Sequence, residues 1–150
     1  MGKITDRLEE ALKKTNPNKL DEFFENNWSD MLDGEREFTV FMRNTVKRKQ
    51  LRWKDIYNAA GISEDYGQEV IGMRKPAKSR DLIIRLCLGG KFNLEDTQHA
   101  LTLYGMQPLY ARIPRDAVLI TAISHGKYDL IDIDEMMAGQ GFEIISKEIK

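Results

Sequence analysis

Apolar residues recur at helical spacing along almost the whole chain, and no long stretch alternates at a period of two. Ile4, Leu8, Ala11 and Leu12 form the first stripe, because residues at these spacings share one face of a helix. Glycine, proline and asparagine residues separate the periodic segments, as helix starts and stops do. The pattern therefore predicts an all-α fold with about eight or nine helices.

The remaining stripes divide the chain into successive helices. They are expected within residues 20–31, 38–46, 53–60, 64–71, 82–87, 94–104, 117–123 and 132–138. Breaks are expected at Asn16-Pro17 and Asp33-Gly34. Ser79 and Asn93 precede two of these helices and are predicted to cap them. The last residues, 142–150, are predicted to form a strand-like or frayed segment.

Composition indicates a soluble protein with one buried thiol. Hydrophobic residues make up 41% of the chain, enough for a continuous core. No apolar run approaches the roughly 20 residues that cross a bilayer, and the start, MGKITDRLEEALKK, is too acidic for a signal peptide. We therefore expect a cytoplasmic location. Cys87, the single cysteine, lies among apolar residues and is predicted to be buried and inert.

Charge is unevenly distributed, although the net charge is only −1. Residues 36–80 hold eleven Lys and Arg against five Asp and Glu, residues 1–35 hold five against nine, and residues 81–150 hold seven against ten. A basic middle between acidic flanks is typical of a local phosphate-contacting surface. The alternative is ordinary variation in charge among solvated helices.

Residues 51–76, LRWKDIYNAAGISEDYGQEVIGMRKP, have the outline of a helix-turn-helix. Gly61 would form the turn, and Ala59 or Ala60 would supply the small residue between the helices. Ile62 would lock the crossing angle, and Ser63 would cap the second helix. This motif presents its second helix to the major groove of DNA.

The second helix of this outline carries more acid than a DNA-reading helix usually does. Tyr66 and Val70 lie four residues apart and would anchor it to the core. The residues expected on its exposed side are Glu64, Asp65, Gln68 and Glu69, with Gly67 on the flank. Three carboxylates repel phosphates and lower non-specific affinity for DNA.

Residues 38–104 resemble the lambda-repressor-like (Xre/Cro) family of helix-turn-helix regulators. The resemblance is best in DIYNAAGIS and in GMRKPAKSRDLIIRLCLGGKFNLEDTQHAL. A subgroup of uncharacterised bacterial proteins with an all-helical C-terminal extension is more similar still. The similarity covers residues 38–142 and lies in a series of short sequence motifs, namely K-P, SRD, LEDTQ, LY and P-RDA. The resemblance implies a lambda-repressor-like helix-turn-helix bundle at 36–105, with helical extensions at 1–35 and, packed on the bundle, at 106–150.

The same resemblance implies DNA contact through the helix that begins near Ser63. Gln68 is a candidate for pairing with adenine edges, and Ser63 for contacting phosphate. The expected DNA contacts are Ser63, Gln68, Arg74 and Lys75, with Lys47, Arg48, Lys49 and Arg52 as phosphate contacts. A homodimer is expected, since one short helix reads only a few base pairs.

Two functions remain open at this stage, a transcription regulator that binds double-stranded DNA and a protein-interaction adaptor that has lost DNA binding. The acidic helix favours the adaptor. Residues 3–32 carry aromatic side chains that either cover the back of the domain or form a dimer or partner interface.

Chemistry of other kinds has no support in the sequence. The Arg80-Asp81 and Arg115-Asp116 pairs are expected to be helix-terminal ion pairs or caps. No HExxH motif, Cys/His cluster or glycine-rich phosphate loop is present, and no nucleophile has a recognisable His or acid partner. We therefore expect no metal, no cofactor and no catalysis.

Overall fold

The computed structural model describes residues 2–27 and 36–146, and it divides the chain into two compact units, 1–35 and 36–150. Every regular element within the described residues is helical, which confirms the all-α prediction. None of these helices is long and apolar enough to cross a membrane. The predicted extension at 106–150 belongs to the same compact unit as the predicted helix-turn-helix domain.

The described part of the first unit, residues 2–27, contains two helices joined by a short turn. They are α1 (Gly2–Lys14) and α2 (Leu20–Asn27), with one turn of 3-10 helix at Pro17–Lys19. The predicted restart at Asn16-Pro17 is confirmed, since the Asn16 side chain accepts a hydrogen bond of 2.9 Å from the Asn18 N–H. Trp28, Met31 and the predicted break at Asp33-Gly34 lie outside the described residues.

Within residues 36–146, the described part of the second unit, seven helices surround one core. In chain order they are α3 (Glu37–Arg48), α4 (Trp53–Ala60), α5 (Glu64–Ile71), α6 (Arg80–Gly89), α7 (Leu94–Tyr104), α8 (Pro114–Ser124) and α9 (Leu130–Gly139). Helix α6 lies at the centre, because its residues 82–88 are all buried. The core draws on every helix of the unit and includes Phe38, Ile56, Val70, Ile83, Leu101, Leu119 and Met137.

Helix caps follow the sequence predictions in part. Ser63 and Asn93 accept hydrogen bonds from the N–H groups of Tyr66 and Asp96, at 3.2 and 2.8 Å. The prediction for Ser79 is wrong: it precedes α6, but its hydroxyl caps nothing and is buried without a partner. Its φ of −156° is more extended than the −72° of Ser63, which turns the side chain away from the helix.

The end of the chain is held without a strand. Residues 142–146 form neither strand nor helix, so the strand-like alternative is wrong there, and residues 147–150 lie outside the described part. The Asp134 carboxylate accepts hydrogen bonds from the Ile145 N–H at 3.0 Å and the Ser146 N–H at 3.1 Å, and also from the Ser146 hydroxyl. This segment is therefore tied to α9.

The Arg80-Asp81 and Arg115-Asp116 sequence pairs form ion pairs with each other, and these join α6 to α8. Arg115 at the start of α8 donates two hydrogen bonds, of 2.9 and 2.8 Å, to Asp81 at the start of α6. Arg80 in turn donates to both oxygens of Asp116, which is fully buried and also accepts from the Tyr110 N–H at 3.0 Å. These residues lie at helix starts and form ion pairs, as predicted, but the predicted pairing within each dipeptide is wrong, because each ion pair joins α6 to α8.

Candidate nucleic-acid interface

The turn between α4 and α5 is tight, and an arginine of α6 forms hydrogen bonds with its backbone. Gly61 has a φ of +74°, in the left-handed region that favours glycine. The N–H of Ile62 donates back to the Tyr57 carbonyl at 3.1 Å. Arg85 of α6 donates to the carbonyls of Ala60 at 2.8 Å and Gly61 at 3.2 Å. This role of Arg85 was not predicted, although a lone arginine within LIIRLCLGG was a signal for it.

Helix α5 approaches α4 closely at Gly67. The prediction that placed Gly67 on the flank is wrong, because it is buried and a Cβ there would lie 2.4 Å from the Tyr57 ring. The absence of a side chain lets the two helices meet. Val70 is fully buried and Tyr66 partly buried, which confirms both as anchors of α5.

The acidic residues of α5 have local structural roles. Glu64 and Asp65 are exposed in its first turn, where carboxylates stabilise the positive end of the helix dipole. Glu69 is half-buried, and its carboxylate binds the Lys75 ammonium at 3.0 Å. Its carbonyl accepts from the Arg74 N–H at 2.9 Å and the Lys75 N–H at 3.2 Å. These interactions account for the presence of acidic residues on α5 without a ligand.

Three helices and the turn after α5 meet at one small cavity. Its volume is about 210 Å³, and it is lined by Arg43, Trp53, Tyr57, Gln68, Ile71 and Arg74. The Trp53 and Tyr57 rings stack with centroids 5.7 Å apart. A second, shallower depression of about 330 Å³ is lined by Asp65, Gln68, Glu69 and Arg74. Gln68 and Arg74 therefore lie on both, at the exposed side of α5.

Charge around Tyr57 links the helices of this site. The pKa of the Tyr57 phenol is raised to about 12, chiefly by burial and also by Glu64, while Arg43 acts to lower it. Carboxylate and guanidinium groups from α5 and α3 thus both act on one buried phenol. The lining of the cavity itself contains two arginines, Arg43 and Arg74, and no carboxylate.

The predicted phosphate contacts are spread over two places. Arg48 pairs with Asp96 of α7 at 3.4 Å, and the Lys49 ammonium donates at 3.2 Å to the carbonyl of Lys91, which lies between α6 and α7. Lys47 is exposed one helical turn beyond Arg43 and shares its side of α3. Arg48 and Lys49 do not join Gln68 and Arg74 at the cavity.

Arg52 and Lys75 have acidic partners close in sequence. Arg52 pairs with Asp55 at 3.1 Å, and Lys75 pairs with Glu69. These side chains are largely exposed, and exposed ion pairs contribute little to stability. Both cations therefore stay available to a phosphate at small cost.

Comparisons with known proteins identify no relative. No family model matches the chain, and neither a curated protein nor a solved structure matches it. Membership of the lambda-repressor-like family stays a prediction. Within residues 2–27 and 36–146, no three His, Cys, Asp or Glu residues are grouped so that they could hold a metal ion.

Proposed function

We propose that this protein is a cytoplasmic, non-enzymatic transcription regulator that places α5 in the major groove of DNA. The observation that carries the proposal is the meeting of Gln68, Arg74 and Arg43 around one cavity on the exposed side of α5. The tight turn at Gly61, braced by Arg85, supports it, because groove reading needs a rigidly held helix.

Each exposed polar group of this site has a role in the proposed contact. The Gln68 amide donates to and accepts from an adenine edge, and Arg74 binds guanine or a phosphate. Ser63, Lys47 and Arg43 contact phosphates on either side of the groove. The carboxylates of α5 reduce binding to arbitrary DNA and so raise the dependence on a matching sequence.

The length of α5 is the reason to propose a homodimer. Its eight residues extend only about 12 Å along the helix axis, which spans a few base pairs. Two copies on neighbouring half-sites double the sequence that is read, and half-sites in such complexes lie about one turn of DNA apart.

Loss of Gln68 or Arg74 tests the proposed contacts. We expect Gln68→Ala and Arg74→Ala each to weaken binding to a selected operator by about tenfold or more, the effect of one bidentate base contact. Arg74→Ala also reduces the salt dependence of binding if it contacts phosphate. Operator selection followed by fluorescence anisotropy measures both effects.

A matched control separates this site from general charge loss. Arg112→Ala removes an exposed cation from the turn before α8 that does not line the cavity, and should leave binding nearly unchanged. Lys47→Ala should weaken binding, whereas Lys49→Ala should have a smaller effect, because its ammonium is engaged with the Lys91 carbonyl. Equal losses in all these variants would contradict the assignment.

A protein-interaction adaptor is the second candidate, favoured by the net negative charge of α5. Its residues 64–71 contain three carboxylates and no cation, a surface that suits a basic protein partner. This function predicts that a protein partner, and not duplex DNA, protects residues 64–69 from hydrogen exchange. Protection by duplex alone would eliminate it.

A further inference from the structure

Helices α8 and α9 form the walls of an open cavity at the surface of the second unit. Its volume is about 540 Å³, which lies within the range of small-molecule binding sites. Most of its wall is apolar: Ala117 and Val118 come from α8, Met136 and Gly139 from α9, and Phe142 from the segment that follows α9. The volume and the apolar wall are those of a site that takes the hydrophobic part of a ligand.

The length of the cavity limits the size of its occupant. Along α8 the lining extends from Pro114 to Thr121, which is about 10 Å along the helix axis. Opposite, Gly139 contributes no side chain, and beyond the backbone of α9 and its chain neighbours, no atom of the described residues lies within 4 Å of a Cβ built there. The space therefore suits an aromatic ring on a short alkyl chain.

The polar groups of the lining are mainly hydrogen-bond acceptors. The Thr121 hydroxyl donates to the Ala117 carbonyl at 2.8 Å, so its oxygen is left to accept from a ligand. The Glu135 carboxylate only accepts, and it has no ion pair or hydrogen bond with any residue that the structure describes. Gln140 adds an amide, which both donates and accepts. A polar group that enters this cavity must therefore donate hydrogen bonds.

The charge around the cavity is negative. Residues 130–143 contain four Asp and Glu residues and no Lys or Arg. Arg115 lies beside the lining on α8, but its guanidinium is bound to the Asp81 carboxylate and the Glu143 carbonyl. Arg112 and Lys127 flank α8 and are exposed, so solvent screens their charges, and neither lines the cavity. Glu135 does line it, which favours a cationic ligand.

We propose that this cavity binds a small hydrophobic amine in its ammonium form. The apolar part lies between α8 and α9, and the ammonium donates to the Glu135 carboxylate. Phe142 brings an aromatic ring to the lining, and the face of such a ring also attracts cations. The ligand would connect α8 to α9. This inference does not depend on DNA binding and applies equally to an adaptor.

Titration of the full chain with phenylbutylamine, phenylbutanol and phenylbutyrate tests the proposal, because these probes differ mainly in the charge of the head group. At neutral pH and constant ionic strength, we expect saturable NMR shifts of the Val118 and Met136 methyl groups and the Gly139 amide. The Kd of the amine should be about 0.5 mM, as is typical of a ligand of this size. The alcohol should bind about fivefold more weakly, since an exposed carboxylate adds only a modest attraction. The butyrate should bind more weakly than the alcohol.

Variants make the test specific to the cavity. Glu135→Gln should weaken binding of the amine about fivefold and leave binding of the alcohol unchanged. Asp132→Asn removes an exposed acid of α9 that does not line the cavity, and should weaken binding of the amine by less than about twofold. Gly139→Leu fills the cavity and should weaken binding of the amine and the alcohol alike, by about tenfold. Circular dichroism checks that each variant is folded.

Four results would overturn the proposal. The first is the absence of any saturable shift at Val118, Met136 and Gly139 up to about 20 mM amine, well above the expected Kd. The second is equal affinity for the amine and the alcohol, and the third is equal affinity for the amine in the wild type and Glu135→Gln. The fourth is a dimer that dissociates in Gly139→Leu, which would make a second copy the occupant of the cavity. Binding of the amine and binding of DNA are measured separately, so the two proposals fail separately.

Discussion

Gly89→Ala should destabilise the second unit by about 3 kcal/mol, the upper part of the range for an added methyl group in a packed core. Gly89 ends α6, and a Cβ there would lie 2.6 Å from the Ile56 carbonyl oxygen of α4. A backbone oxygen cannot rotate aside as a side chain does, so α4 and α6 must separate. The melting temperature should fall by about 10 °C or more, measured by far-UV circular dichroism.

Gly139→Ala is the matched control for this prediction. Gly139 ends α9, as Gly89 ends α6, but beyond the backbone of α9 and its chain neighbours, no atom of the described residues lies within 4 Å of a Cβ built there. Alanine favours the helix over glycine, so this variant should be stabilised by up to about 1 kcal/mol. Equal effects of the two substitutions would contradict the close approach of α4 to α6.

Asp116→Asn should cost about 3 kcal/mol, because removing one charge from a buried pair leaves the other uncompensated. Asp116 is fully buried, accepts from Arg80 and the Tyr110 N–H, and joins the start of α8 to that of α6. Arg80 keeps its bonds to the Gln107 and Pro108 carbonyls, which places the cost at the low end of the range. Urea denaturation measures this change.

Asp55→Asn provides the comparison for an exposed ion pair. Asp55 binds Arg52 at 3.1 Å, but both side chains are more than half exposed. Its loss should cost less than about 1 kcal/mol. A loss for Asp116→Asn as small as that for Asp55→Asn would show that the Arg80–Asp116 pair does not hold α8 to α6.

The helices were predictable because side-chain hydropathy repeats with the period of the backbone. The caps at Ser63 and Asn93 were predictable for a similar reason, since their donors lie only three residues away. Gly67 was wrongly predicted to lie on the flank of α5, because glycine has no side chain that could contribute to an apolar stripe. The predicted cap at Ser79 does not form, because capping depends on a backbone angle that the residue type does not determine.

Contacts between residues that lie far apart in the sequence could not be predicted from it. The pairing of Arg80 with Asp116 and of Arg115 with Asp81 depends on how α6 and α8 meet, and local spacing carries no information on that. The same holds for Arg43, which the fold brings to Gln68 and Arg74 from another helix. Arg48 and Lys49 belong to the same basic run as Lys47, yet helical rotation directs them toward α7 and the residues before it.

Fluorescence anisotropy of the full chain with labelled random-sequence duplex tests the central proposal most directly. Measurements at about 50 and 200 mM salt cover the range in which phosphate contacts lose strength. The proposed interface predicts binding at low salt that falls by about a hundredfold at high salt if four cations contact phosphate. Absence of binding at low salt would contradict a DNA-binding role for α5 and direct the search to protein partners.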